Sequence, residues 1–462
     1  MAYLPLSYFP LFALLLAAFW DHAVIQRDSF QLFAPYKFLL ARALVRGEVW
    51  GWQPWNFLGM PFVAEPQSSW FYPLNLFYLA LPFRPAHNLY ILIHYPLAAA
   101  FMHLFLRGRG RSEAAAGLGA LVFACSGYLV SQHGTVTMLI GPTLAPLCLF
   151  WFDRALRGGS AEAVGAGATL ALQIFAGDAQ AAAVTAAGLG VWTALVALRP
   201  DRRWRAISAL ATAYACGTLL SAAQLLPTLE LMRLSSRAGG LPLAQAQIFF
   251  LHPWRLIEIV WPNPYGSPWP EMSWWGQYFA LEGLRGIAAT PWAMSNYLGL
   301  PAVLLAAQGA LGKPRRERLA PAAAALLFAL LALGPYTPLY AFCHNHIPLF
   351  GSFRFPEKYM AWFALAVAVL AAAGLDDMVV NLRDRGSAMA RALMGVVVSV
   401  LGLEALSVLF WRRPLSLLAG PGDRLYEYAL SNLWSGACQV AGVAFACSAA
   451  GILAGSRPSR RR

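Results

Sequence analysis

Apolar residues run along this chain in blocks of roughly 16 to 22, close to the ~20 that a helix needs to cross a bilayer, and polar residues gather in the gaps. The blocks fall at about 4-20, 87-106, 114-132, 136-152, 164-180, 181-198, 206-226, 296-312, 319-335, 359-376, 391-410 and 434-455. This pattern predicts an all-α integral membrane protein with about 12 transmembrane helices, because a helix satisfies every backbone polar group inside lipid from within one segment. No linker or low-complexity stretch divides it, so 1-462 reads as a single polytopic membrane domain.

The gaps are unequal, and three are long: 21-86, 227-295 and 336-358. The first opens with Phe30, Leu32, Phe33, Tyr36, Phe38, Leu39, Leu40, Ala43 and Leu44, with Lys37, Arg42 and Arg46 elsewhere on the helical wheel. That spacing predicts an amphipathic helix lying in the membrane interface. Trp50, Trp52, Trp55, Phe57, Trp70, Phe71 and Tyr72 then read as an aromatic belt at headgroup depth, with Pro54, Pro61, Pro66 and Pro73 breaking the chain into turns.

Composition fixes the setting. Hydrophobic residues make up 59% of the chain and charged residues 12%, with a mean hydropathy of +0.54, far from the roughly 25% charge of soluble domains. A net charge of +13 would point to nucleic acid in a soluble protein. Here the basic residues cluster in short gaps, Arg107 to Arg111, Asp153 to Arg157, Arg199 to Arg205, Lys313 to Arg318 and the tail from Arg457, which is the signature of cytoplasmic loops. No nucleic-acid partner is implied. Both termini are expected in the cytoplasm, with Pro5 to Trp20 a retained first span and the long gaps extracytoplasmic. Acids such as Asp21, Asp28, Glu48, Glu65, Asp178, Glu258 and Glu357 fall on the outer side, so carboxylate chemistry faces outward. The six cysteines are scattered, five of them in or beside apolar blocks, and read as packing residues.

Several residues have chemistry to offer. Asp28 stands just ahead of the interfacial helix, either as a reactive carboxylate or as a cap on the helix beginning near Ser29. Glu65, in a turn before Pro66, is a surface carboxylate or an acceptor-orienting one. Asp178 ends an apolar block beside Gly177, where an acid costs about 2.5–3.5 kcal/mol at bilayer depth; it either caps a break between spans or takes part in chemistry. Arg354 and Lys358 are four apart, and if the helix of the 359-376 block has already begun they project from one face and can grip a phosphate. Snorkelling is the alternative, and Glu357 can neutralise one of them. His133 is a hydrogen-bonding candidate, and Asn56, Gln67 and Tyr72 can meet sugar hydroxyls or faces. His344 and His346 flank Asn345 but lack an evident third ligand, so no metal site is assigned.

The order Asp28, Trp55-Asn56, Gly59-Met-Pro61, Glu65-Pro-Gln67 and Tyr72-Pro-Leu-Asn75 resembles the start of the YfhO-like bacterial membrane proteins, a branch of the GT-C class of lipid-linked glycosyltransferases. Ser126-Gly-Tyr-Leu-Val130 with His133, Ala176-Gly-Asp-Ala-Gln180, Ala223-Gln-Leu-Leu-Pro-Thr-Leu-Glu-Leu231, Trp261-Pro-Asn-Pro-Tyr-Gly266, Tyr297-Leu-Gly299, Gly334-Pro-Tyr-Thr-Pro-Leu-Tyr340 and Phe353-Arg-Phe-Pro-Glu-Lys-Tyr359 continue the series. Two positions depart from the pattern, Asp178 in place of His and Lys358 in place of Arg. The resemblance implies a GT-C-like fold and transfer of a sugar from a polyprenyl-phosphate donor to a cell-envelope glycan or glycolipid acceptor, on the outer face of the bacterial plasma membrane. It implies Asp28 as general base, Asp178 and Glu65 in support, and Arg354, Lys358, His133, Asn56, Gln67 and Tyr72 as substrate contacts. The active site is then expected among the first outer loop, the mouths of spans three to six and the start of span ten. No cofactor is expected, although Asp28 and Asp178 are potential ligands for a divalent ion. The alternative is a lipid-linked sugar flippase or polytopic transporter, which shares the layout without the chemistry.

Overall fold

The computed structural model describes residues 24, 28–55, 58–266, 274, 291–313 and 315–380. The expected spans at 4-20, 391-410 and 434-455, together with Asn56, lie outside the described residues. The other expected spans fall on helices. Among the described residues, the α-helices longer than eight residues that precede Pro356 are, in chain order, α1 (Ala34–Arg46), α2 (Phe83–Leu92), α3 (His94–Gly108), α4 (Glu113–Ala124), α5 (Val136–Leu156), α6 (Ser160–Phe175), α7 (Ala179–Ala197), α8 (Arg203–Leu220), α9 (Ala222–Leu234), α10 (Leu300–Leu311), α11 (Arg315–Ala332) and α12 (Pro338–His346). The last helix among the described residues, α13 (Pro356–Val380), opens with a 3-10 turn over Pro356–Tyr359. Among the described residues the sheet structure is one short antiparallel pair, Trp52–Gln53 against Met60–Pro61.

Among the described residues, five helical stretches are long and apolar enough to cross a membrane: Phe83–Gly108, Glu113–Gly134, Val136–Leu156, Ala179–Ala197 and α13. A sixth would join α8 and α9, which meet at a bend of 76°. The block expected at 206-226 is therefore a broken span. Ser221 sits at the break, where its hydroxyl donates back to the Gly217 carbonyl at 2.6 Å, a bond that competes with helix continuation. The boundary expected at 180/181 moves as well. Gly177 holds φ +88°, and a side chain there would collide with the Pro66 carbonyl, so α6 ends before it and Asp178 begins the next helix.

The chain forms two compact units. The first takes the chain up to Ala124 together with Gln132–Leu241. Its interior is made largely of small residues: Ala155, Ala163, Ala166, Ala206, Ala209 and Ala213 pack with Cys148, Phe152 and Leu170 where α5, α6 and α8 meet. Small side chains suit a bilayer, where lipid offers no hydrophobic contrast and helices gain by close van der Waals contact. The most apolar stretch of α5 is 83% buried and that of α7 is 33% buried, so α5 is central and α7 presents Val191 and Leu195 outward.

A second cluster in this unit belongs to the first loop. α1 buries Tyr36, Leu39, Leu40 and Ala43 against Phe62 and Trp70, and the Phe62 and Trp70 rings meet edge to face at 5.4 Å. The helix starts with Pro35 in its first turn and closes on Gly47, with Gly47 N–H donating to the Leu44 carbonyl and Glu48 N–H to that of Ala43, a paired closure that satisfies two end carbonyls. One expectation fails here. Lys37, expected off the apolar stripe like Arg42 and Arg46, is fully buried, because the turns after Glu65 fold over its own side of α1.

The second unit takes Cys125–Ser131 and the chain from Pro242 on. α10 and α13 touch through glycines: a side chain at Gly309 would collide with the Leu370 carbonyl and one at Gly374 with the Leu305 carbonyl. The Arg318 guanidinium ties α11 to α10 through the Gly309 carbonyl (3.0 Å) and to α13 through Asp377 (2.9 Å).

Candidate functional site

In the first unit, the loop carrying Glu65 is held from two sides. From α9, Gln224 Nε2 donates to the Val63 carbonyl at 2.9 Å and Thr228 Oγ1 to the Ala64 carbonyl at 2.8 Å. From the α6–α7 turn, the Ala176 carbonyl accepts from Ser69 Oγ at 2.9 Å, beside the Gly177 turn that the Pro66 carbonyl approaches. Two of the sequence motifs, Ala223 to Leu231 and Ala176 to Gln180, thus share one task, fixing the backbone on either side of Glu65.

Glu65 caps the 3-10 turn Pro66–Ser68, its Oε1 accepting from Gln67 N–H at 3.2 Å. Burial raises its pKa, against the opposing pull of that N–H and of the Arg237 charge. The nearby Tyr36 hydroxyl is raised too, by burial first and the Glu65 charge second, and it donates to Met60 Sδ at 3.2 Å. Lys37 lies behind the same loop. Its Nζ donates to the Ser68 carbonyl at 3.1 Å and to Asn75 Oδ1 at 2.9 Å and sits 4.5 Å over the Tyr90 ring. Asn75 in turn donates to the carbonyls of Ser69 (2.6 Å) and Trp70 (3.1 Å). Burial holds the Lys37 pKa well below its ordinary value.

Tyr72, Asp178 and the Gln67 backbone each make contacts within the first unit. Tyr72 is buried, hydrogen-bonded to His94 Nε2 at 2.9 Å and stacked on that ring. The Gln67 backbone serves the Glu65 cap and accepts from Ser69 Oγ at 3.5 Å. Asp178 is 4% exposed and caps α7, Oδ1 accepting from Ala181 N–H at 3.1 Å, and a side chain at Gly141 would press on its Oδ2. Of the two alternatives for Asp178, the cap is the one observed.

For Asp28 the cap is the alternative not observed. It precedes a π-type turn, Ser29–Phe33, that runs directly into α1, and it has helical dihedrals and no side-chain capping bond. The carboxylate is half-buried, while Ser29 beside it is buried and donates to the Val24 carbonyl at 3.2 Å. This turn packs against the 3-10 turn Gln132–Gly134, which carries the half-buried His133.

In the second unit, Arg354 and Lys358 do not share a helix face. Residues 353–355 are not helical, Phe353 being extended and Phe355 left-handed at φ +73°, and the helical turn starts only at Pro356. The two cations meet on the Phe355 ring instead, Arg354 at 4.4 Å and Lys358 at 5.3 Å from its centroid. Arg354 is exposed, whereas Lys358 is buried, with its Nζ also 5.6 Å over the Trp292 ring.

Glu357 belongs to neither of them. It is fully buried and accepts from Arg255 Nη1 at 2.6 Å, Asn296 Nδ2 at 2.9 Å and Trp292 N–H at 2.9 Å. Arg255 also forks onto Glu258, Nε to Oε1 at 2.6 Å and Nη2 to Oε2 at 2.8 Å, and reaches the Ala293 carbonyl at 2.9 Å. Burial works against the Arg255 charge, but the two carboxylates outweigh it and hold its pKa above the ordinary value. Burial raises Glu258, with Arg255 opposing. The sequence hint was an arginine and a glutamate three apart, Arg255 and Glu258, in an aromatic outer segment, spacing at which opposite charges meet on one helical turn.

His346 Nδ1 lies 2.9 Å from the Phe342 carbonyl and its ring stacks on Phe342. Among the described residues no group of three His, Cys, Asp or Glu side chains is placed to hold a metal ion.

No protein-family model matches this chain, and no curated protein sequence matches it. Among solved structures it is similar to ArnT from Cupriavidus metallidurans bound to undecaprenyl phosphate, at 13% identity and a TM-score of 0.48, over 98% of this chain and 77% of that one.

Proposed function

We propose that this chain is a GT-C-type membrane glycosyltransferase of the YfhO-like branch, moving a sugar from a polyprenyl-phosphate donor to a cell-envelope acceptor at the extracytoplasmic face. The observation that carries the reading is Asp28, a half-buried carboxylate at the head of a packed helix whose side chain caps nothing. The ordered motifs from Asp28 to Tyr359 support it, and so does the care with which the Glu65 loop is fixed.

The chemistry assigns roles as follows. Asp28 accepts the proton of the acceptor hydroxyl as its oxygen bonds to the anomeric carbon, and the bond from that carbon to the phosphate oxygen breaks. The leaving polyprenyl phosphate gains negative charge, which the exposed Arg354 guanidinium is suited to hold, with Lys358 behind it on the same aromatic ring. Glu65, with its raised pKa, is the second carboxylate for orienting the acceptor. Asp178, the cap of α7, supports them from the turn that holds the Glu65 loop.

Asp28→Asn tests this directly. Loss of a general base is expected to slow transfer roughly 10²–10⁴-fold, read as disappearance of the glycolipid or envelope modification while membrane insertion is unchanged. Unaltered modification sinks the assignment. One observation favours a second reading, transport of a lipid-linked sugar: the 76° break between α8 and α9 is the kind of discontinuous helix that transporters use. Under that reading the deletion strain accumulates the sugar lipid in the inner leaflet, and purified protein in vesicles moves it across without consuming it.

A further inference from the structure

The outward side of α1 is built in a way that the transferase reading does not use. Phe38 and Val45 are 49% and 71% exposed and lie two helical turns apart. Beside them stand Arg42 and Arg46, also exposed and one turn apart. These residues line an open groove of about 220 Å³ whose far wall is Tyr78 and Phe83. Phe38 and Phe83 meet edge to face at 5.6 Å across it, and the Arg42 guanidinium lies 5.9 Å over the Phe38 ring. Among the described residues no carboxylate pairs with Arg42 or Arg46.

Two neighbouring guanidiniums without an acid repel each other, and a phosphate between them turns that repulsion into paired charge-assisted hydrogen bonds. The apolar walls suit a hydrocarbon chain continuing from that phosphate. The groove offers nothing that would recognise a sugar or a reacting group. Its one hydroxyl, Tyr78, is bonded to His87 Nδ1 at 2.9 Å, and apart from the two arginines the rest of the lining is aliphatic or aromatic. We propose that this groove holds an anionic phospholipid of the surrounding bilayer, with the phosphate between Arg42 and Arg46 and an acyl chain along Phe38, Val45 and Phe83. The site docks α1 to the membrane surface and is independent of the proposed transferase activity, since none of its residues has been given a part in transfer.

The test uses the full chain purified in zwitterionic detergent, titrated with phosphatidylglycerol or phosphatidylcholine and read by native mass spectrometry. Phosphatidylglycerol is expected to be retained and phosphatidylcholine not. Each basic residue at an anionic lipid surface is worth roughly a 5-fold gain, so Arg42→Gln/Arg46→Gln is expected to weaken retention roughly 30-fold. Ala41→Trp, which fills the groove and keeps both charges, is expected to abolish it. Inorganic phosphate alone and equimolar polyprenyl monophosphate should leave the bound phosphatidylglycerol in place. Equal retention by the arginine variant, equal retention of the two phospholipids, or retention by the tryptophan variant overturns the proposal. Displacement by inorganic phosphate reduces the site to an anion site, and displacement by polyprenyl monophosphate reassigns it to the donor; either also overturns it.

Discussion

Replacing Arg255 by Met is the sharpest test of how the second unit is held. The guanidinium makes two bonds to Glu258, one to Glu357 and one to the Ala293 carbonyl, and it is itself buried. Its removal leaves two carboxylates, 2% and 0% exposed, without their cation. Breaking a buried pair from one side costs about 3–5 kcal/mol, because the remaining charge stays uncompensated. The residual bonds from Asn296 and Trp292 to Glu357 place Arg255→Met in that range rather than above it. The thermal midpoint of the purified protein in micelles is therefore expected to fall by several degrees. The loss should also depend on pH. Burial already raises Glu258 and Arg255 opposes that rise, so without Arg255 the folded-state pKa climbs further above the unfolded value. A carboxylate so raised binds its proton more tightly when folded, and its contribution to stability declines as pH rises from the unfolded value through the folded one. The deficit of Arg255→Met should thus be small in acid and large near neutrality. Adding Glu258→Gln and Glu357→Gln to the same chain should restore part of the midpoint, since the amides keep acceptors and carry no charge. An unchanged midpoint for Arg255→Met, or an equal loss at every pH with no recovery in the triple variant, refutes the reasoning.

Three further outcomes follow from the first unit. Lys37 has its pKa lowered by burial, so the unfolded chain holds a proton that the folded chain releases, and stability rises with pH from the lowered value up to the ordinary 10.5; Lys37→Met should flatten the climb of thermal midpoint with pH, and parallel curves for the two proteins contradict this. Glu65 has the opposite sign. Its folded pKa is raised, so its contribution falls as pH rises from the ordinary 4.5 through the raised value, and Glu65→Gln, which can still accept from Gln67 N–H, should gain on the parent protein at neutral pH and not in acid. Gln224→Ala/Thr228→Val removes the donors to the Val63 and Ala64 carbonyls, worth roughly 1–3 kcal/mol together, and should speed amide exchange across 63–67 while α5 stays protected; uniform exchange rates contradict the claim that α9 fixes this loop.

The helices were legible because hydrocarbon leaves little choice: a long apolar block must be helical, and its ends lie where charge begins. What was not legible is where a helix breaks inside such a block. Ser221 and Gly177 each interrupt apolar sequence of ordinary composition. The break at Gly177 depends on how closely the Pro66 carbonyl approaches, a contact made by a residue over a hundred positions away. The same limit explains Arg354 and Lys358. Four-residue spacing places them together only on a helix, and the left-handed turn at Phe355 delays the helix until Pro356.

Lys37 and Glu357 show the physical reason that charged sites in such a chain resist reading. A wheel diagram assigns Lys37 to water because α1 alone offers it nothing else. The acceptors that make its burial tolerable, the Ser68 carbonyl and Asn75 Oδ1, come from turns 31 and 38 residues later. Glu357 looks like a partner for its neighbours Arg354 and Lys358, yet its cation is Arg255, 102 positions earlier. In both cases the cost of burying a charge is offset by partners remote in sequence, so burial of one charge predicts that another polar group has been carried to it, without naming which. Asp28 is the informative converse. It sits where a cap was available and makes none. Its side chain makes no capping bond, and under the proposed transfer the acceptor hydroxyl is the partner that Asp28→Asn puts to the test.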